Sequence, residues 1–248
     1  DDVGISVLIE IAGGGNQGVL ALGNGTYEGV LSGNATLEIG ATTGRGSAQN
    51  SYVNGNGGQI ILSTRNQNFT GVVNVNLNSQ LTFGNGNALV NASALNINGG
   101  SIYIQNSQTV PNAITVTGSE FVVSRDTGND NVLFSGPVNL APNGVGGTIS
   151  LSVAGNGIGF SGVLSDGGTG IGSSNLIRTS PQNNNNLGSV VLRGMNTYHG
   201  TTSVVGGFLL AGTNVLPNQA GAFGISDTPI TLSAIQSTNN AGQLGIAG

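Results

Sequence analysis

Residues 192–212 read "LRGMNTYHGTTSVVGGFLLAG" and contain the only histidine of the chain, His199. A histidine beside a tyrosine, an arginine and several threonines suggests chemistry. The same stretch also has the form of a structural unit: a polar turn closed by glycine, a strand "TTSVV", a Gly-Gly corner and a second strand "FLLAG". The choice between the two depends on whether the unit recurs.

It recurs. Residues 18–29 read "GVLALGNGTYEG", 58–71 "GQIILSTRNQNFTG", 147–162 "GTISLSVAGNGIGFSG" and 188–200 "GSVVLRGMNTYHG". Each is a glycine, a short apolar strand, a polar turn, an aromatic, one variable residue and a second glycine. The aromatics are Tyr27, Phe69, Phe160 and Tyr198, with Gly29, Gly71, Gly162 and Gly200 two positions on. The segments that begin at these second glycines also repeat: "GVLSGNATLEIG", "GVVNVNLNSQLTFG", "GVLSDGGTGIG" and "GTTSVVGGFLLAG". Internal repetition of this kind is the mark of a coil of similar units. The slot of His199 holds Glu28, Thr70 and Ser161 in the other copies. A slot so variable is expected to face solvent. On this reading His199 is a surface residue, and the aromatic before it fills the core beside the turn.

The spacing predicts stacked rungs. Tyr27 and Phe69 are 42 residues apart, and Phe160 and Tyr198 are 38 apart; each interval suits two rungs of roughly 20 residues. Between these copies, "LNINGGSIYI" (95–104) and "ITVTGSEFVV" (114–123) repeat strand, glycine turn, strand. Leu95, Ile97, Ile102 and Ile104 share one parity, as do Ile114, Val116, Phe121 and Val123. Apolar residues alternating with Asn, Thr and Ser follow the period of two that a pleated strand imposes. No stretch of ten residues carries helical periodicity with a cap. The expected fold is therefore all-β: one right-handed single-stranded parallel β-helix, a β-solenoid, spanning 1–248.

That architecture accounts for the composition. Charged residues are 6% of the 248, against about 25% in ordinary domains. Corners that need φ > 0 take glycine and asparagine, and there are 45 glycines. Like charges stacked in register would repel, whereas Asn can form hydrogen-bonded ladders. Glycine and the 6 prolines together stay below the roughly 25–30% of low-complexity chains. The five basic residues are all arginines, Arg45, Arg65, Arg125, Arg178 and Arg193. They form no basic stripe, so nucleic acid is not an expected partner. No apolar run reaches the ~18 residues of a membrane-spanning helix. There is no cysteine, hence no disulfide.

The stretch "GMNTYHGTTSVVGGFLLAGTNVLP" resembles the autotransporter-associated β-strand repeat. The matching residues are Asn196, Thr197, Tyr198, Gly200, Thr201, Thr202, Val204, Gly206, Gly207, Leu209 and Ala211. The copy at 24–40 matches less fully, and those at 65–84 and 155–172 diverge. The resemblance implies a passenger-type parallel β-helix of a large secreted or surface-displayed bacterial protein. It brings no catalytic residues with it.

Other β-helices act on polysaccharides, which requires paired carboxylates. The acids are Asp1, Asp2, Glu10, Glu28, Glu38, Glu120, Asp126, Asp130, Asp166 and Asp227. Their spacing is mostly wide; Glu28 and Glu38 flank one corner but have no arginine near in sequence. In "SRDTGNDN" (124–131), Asp126, Asn129, Asp130 and Asn131 are oxygen donors of the type Ca²⁺ takes. Their spacing fits neither an EF-hand loop nor a glycine-rich calcium repeat, and a turn with Arg125 offsetting the acids is the plainer reading. The glycosylation-type triplets at Asn24, Asn34, Asn68 and Asn91 are expected by chance in so Asn- and Thr-rich a chain. No catalytic, cofactor or metal-binding residue is assigned.

"RTSPQNNNNL" (178–187) is the longest polar interruption and is expected to protrude as a loop. "VGISVLIEIAGG", within the N-terminal strand 1–14, is the most continuously apolar run. It suits the first rung of the core or a connector to a neighbouring subunit. The chain starts "DDVG" and stops "GQLGIAG", as expected of a processed chain, a piece of a longer solenoid or a subunit with bare ends that polymerises. The expected role is a non-enzymatic extracellular or cell-surface structural element that stacks end to end. A glycan- or host-binding adhesin and a polysaccharide-active enzyme are the alternatives.

Overall fold

The computed structural model describes residues 9–11, 19–22, 25–27, 30–40, 59–63, 68–77, 79–85, 87–117, 120–125, 132–140, 148–154, 157–166, 175–179, 189–225, 230–232 and 243–246. Among them the regular elements are all strands, 25 of two to seven residues, and every strand-to-strand pairing is parallel. Parallel neighbours need a crossover between them, and the chain supplies it by travelling from sheet to sheet.

There are four sheets. Sheet 1 holds Ile9–Ile11, Leu31–Gly33 and Asn68–Phe69. Sheet 2 has seven strands, from Val19–Leu22 to Leu164–Ser165. Sheet 3 has nine, from Gly25–Tyr27 to Thr231–Leu232. Sheet 4 has six, from Gln108–Val110 to Gln243–Ile246. The chain visits sheets 1, 2 and 3 three times over, forms no strand of the first face once at residues 84–93, then visits 2, 3 and 4 in turn as far as Ser189–Leu192, after which the described strands alternate between sheets 3 and 4. Sheet 4 thus takes the place of sheet 1 in the circuit. Parallel pairing one circuit apart is compatible with a β-solenoid.

The circuits are less even than the expected 20 residues. Val19 pairs with Thr36, 17 positions on, and Leu37 with Val73, 36 on. Ile60, Leu81, Ile102 and Val123 follow one another at steady intervals of 21. The 42 residues from Tyr27 in sheet 3 to Phe69 in sheet 1 therefore cover one circuit and one further face, not two circuits. The four sequence copies are not equivalent in space. Of the segments that begin at the second glycines, 29–40 runs from sheet 1 to 2, 71–84 from 2 to 3 and 200–212 from 3 to 4. One turn grammar serves all three corners, because each corner poses the same problem to the backbone.

The core lies between the sheets. In sheet 2, Leu37, Val73, Leu95, Ile114, Val138 and Leu164 stack in register and are buried. In sheet 4 the column is Val110, Phe134, Phe160, Leu192 and Ala211, with the Phe134 and Phe160 rings stacked at a centroid distance of 5.0 Å. Burying each such side chain contributes about 1.5–3 kcal/mol. Two residues past Phe134 and Phe160 are Gly136 and Gly162. A Cβ on Gly162 would lie 1.8 Å from the Gly136 carbonyl oxygen, so only glycine lets the circuits approach at this corner.

The polar side of sheet 2 carries the expected ladder. Asn96 donates to Asn74 Oδ1 (2.8 Å), and Asn74 donates to Glu38 Oε1 (2.6 Å). One residue pair along, Asn98 donates to Asn76 Oδ1 (3.4 Å), and Asn76 donates to Glu38 Oε2 (2.8 Å). Two amide columns thus converge on one carboxylate, every amide pointing its NH₂ toward the charge. No helix of the described residues is long and apolar enough to cross a membrane.

Candidate functional site

The chemistry-bearing side chains meet where sheet 2 stops being a sheet. Its last strand, Leu164–Ser165, is followed one circuit later not by a strand but by residues 193–201. This segment runs along Leu164–Asp166 and bonds to it. Thr197 N–H donates to Leu164 O (2.9 Å), as a ladder would. The other bonds use side chains. Asn196, fully buried, accepts the Leu164 N–H on Oδ1 (2.8 Å) and donates from Nδ2 to Ala222 O (2.7 Å). Its own main chain exchanges two hydrogen bonds with Gly221.

Asp166 closes the segment. One oxygen, Oδ2, accepts the His199 backbone N–H (2.8 Å), and the carboxylate faces His199 Nδ1 at 3.0 and 3.2 Å. The Asp166 side chain is 3% exposed and that of His199 33%. His199 is therefore only partly the solvent slot that the copy comparison predicts: a third of its side chain is exposed, while its backbone N–H and Nδ1 are held by Asp166. The comparison fails because Thr70 and Ser161 follow strands of sheets 1 and 4, whereas His199 lies over the end of sheet 2. A carboxylate that has left water needs hydrogen bonds to hold its charge, and the His199 amide and ring supply them.

Tyr198 fulfils its expectation. It is fully buried, and its hydroxyl meets the Thr202 hydroxyl at 2.7 Å. Burial pushes the Tyr198 phenol well above its ordinary value, and the Thr202 bond offsets only part of that. Phe69 and Phe160 are buried as well. Sequence reading missed Phe134, although "FSG" at 134–136 repeats "FSG" at 160–162.

Of the acids, Glu38 binds Asn74 and Asn76 rather than a second acid, and Glu28 lies outside the described residues. So do Asp126 and Asp130. Arg178 and Thr179, expected to open the protruding loop, are the last two residues of the strand Asn175–Thr179; parallel pairing with Leu151 and Ser152 extends the strand over them. Residues 180–187 lie outside the described residues. Among the described residues no three of His, Cys, Asp and Glu lie together. The geometry at Asp166 and His199 orients an imidazole and satisfies a turn.

Compared with family models, curated proteins and solved structures, the chain matches none of them. The likeness of residues 188–216 to the autotransporter-associated repeat rests on those residues alone.

Proposed function

We propose that the chain is a non-enzymatic structural element: a right-handed single-chain parallel β-solenoid, of the autotransporter-repeat type, that belongs to a bacterial surface or extracellular matrix and associates end to end. One observation carries the reading. The inward columns stay apolar through the final circuit, but there they are uncovered. Leu209 and Ala211 are buried, yet their register partners Leu244 and Ile246 are 42% and 87% exposed. Val204 is buried, and its partner Leu232 is 53% exposed. Such an edge accepts a further strand, from a continuation of the same polypeptide or from another copy. Among the described residues, Asp166 and His199 bond to each other and hold a turn, a role that suits a scaffold.

The test is sedimentation velocity across a concentration series. The intact chain grows in mass with concentration, and Leu244→Asp with Ile246→Asp, both at exposed positions, restores the monomer. An intact chain that stays monomeric throughout contradicts the proposal.

A further inference from the structure

We infer that the outer face of sheet 2 binds an extended, uncharged glycan chain lying along the stack, of the β-1,4-linked kind whose rings have an apolar face and a hydroxyl edge. The inference names a partner for the proposed structural element and uses sheet 2 alone, so it does not depend on association between copies. Three files of outward side chains run up this face. The first is apolar. Val72 pairs with Ala94, and Ala113, Pro137 and Val163 continue the line, their carbonyls accepting the Leu95, Ile114 and Val138 N–H groups. Ala113 and Pro137 are exposed, and Val163 is 37% exposed. The second file, two residues further along each strand, is polar: Glu38, Asn74, Asn96, Thr115, Asn139 and Ser165 stand in register. The third is Asn76, Asn98 and Thr117, where the Thr117 hydroxyl donates to Asn98 Oδ1 (3.3 Å).

Neighbouring circuits lie about 4.8 Å apart, close to the interval at which the rings of an extended β-1,4-linked chain repeat, so one ring meets one circuit. The apolar file gives the ring faces a surface to cover, and burial of apolar area drives the contact. The amides beside it are set in advance. Asn96 and Asn74 hold each other in the ladder that ends on Glu38, so little side-chain freedom is lost on binding. The ladder takes one N–H and one lone pair of Asn74, and an amide has two of each; the second pair serves hydroxyls. Glu38 is the one charged residue of the three files, and both its oxygens accept from amides. The face therefore selects an uncharged polymer. It is too small for a second copy of the chain: the files cover about 24 Å by 13 Å, roughly 300 Å², against about 800 Å² that each partner gives to a stable protein pair.

Microcrystalline cellulose is the probe and cellohexaose the soluble competitor, with the chain dilute enough to be monomeric. The intact chain is retained on cellulose and released by cellohexaose. Ala113→Arg and Thr117→Arg, at exposed positions of the first and third files, each lower retention more than tenfold. Thr109→Arg, exposed on the outer side of sheet 4, leaves it unchanged. Circular dichroism and urea unfolding check that the variants fold alike, and the two files give separate variants should one of them unfold. An intact chain that is not retained, retention that cellohexaose does not displace, or equal retention of all three variants overturns the inference. A chain that binds cellulose but never assembles refutes end-to-end association alone; a chain that assembles but does not bind refutes this face alone.

Discussion

The two ends of sheet 2 are held by different means. Between Thr36 and Val116 the strands pair through main chain, circuit after circuit, with side-chain amides added across the outer surface over Glu38. Beyond Leu164 the same face is continued by residues 196–199, which form no strand. There the Asn196 and Asp166 side chains take the acceptor positions that carbonyls hold elsewhere. A regular ladder tolerates loss of one member, because every main-chain group has its partner in the next circuit. A segment closed by side chains has no such redundancy, since each removal orphans a buried backbone group.

The largest contrast is between two asparagines. Asn196→Ala strips partners from the Leu164 N–H and the Ala222 carbonyl at once. At about 1–3 kcal/mol for each orphaned buried group, unfolding in urea should show a loss of about 3–5 kcal/mol. Asn96→Ala removes one half-buried amide bond and should cost about 1 kcal/mol or less. Equal losses would break the comparison.

Tyr198→Phe sharpens it through pH. The variant leaves the Thr202 hydroxyl buried without its partner and should lose about 1–2 kcal/mol near neutrality. Burial raises the folded phenol above the unfolded value of about 10. The stability due to Tyr198 is thus fully present below about pH 10. Above it the unfolded chain ionises first, and stability drains away with rising pH. Tyr27, Tyr52 and Tyr103 are common to both proteins, so the difference isolates Tyr198. The deficit of the variant should narrow above about pH 10; a constant deficit would mean the ring is not buried in solution.

A small effect is also expected of His199→Ala. It keeps the backbone N–H on Asp166 but removes the ring from a buried carboxylate. The ring is partly exposed, so the expected loss is about 1 kcal/mol, read by thermal unfolding. A neutral outcome would return His199 to the solvent slot that the repeats suggest.

The fold was legible wherever period and parity decide it. The alternation in "LNIN", "SIYI" and "ITVT" matches the buried parity of Leu95, Ile97, Ile102, Ile104, Ile114 and Val116, and the amide ladder follows from in-register stacking. The length of a circuit was not legible. Corners of all three faces use the same Gly and Asn chemistry, so a strand–turn–strand unit does not announce which face it belongs to. The same ambiguity misplaced His199. Its partner Asp166 is 33 positions away, a separation set by insertions around one circuit, and no local pattern marks it. Phe134 was missed although the polar turn "SRDTGNDN" before it and the Phe-x-Gly spacing after it were both there to be read.

The central claim is that one parallel stack of strands continues from copy to copy. Cryo-electron microscopy of the concentrated chain tests it most directly. The expected result is filaments in which strand spacing of about 4.8 Å runs uninterrupted through the subunit boundary. Discrete particles at every concentration, or filaments whose subunits meet without strand pairing, would contradict it.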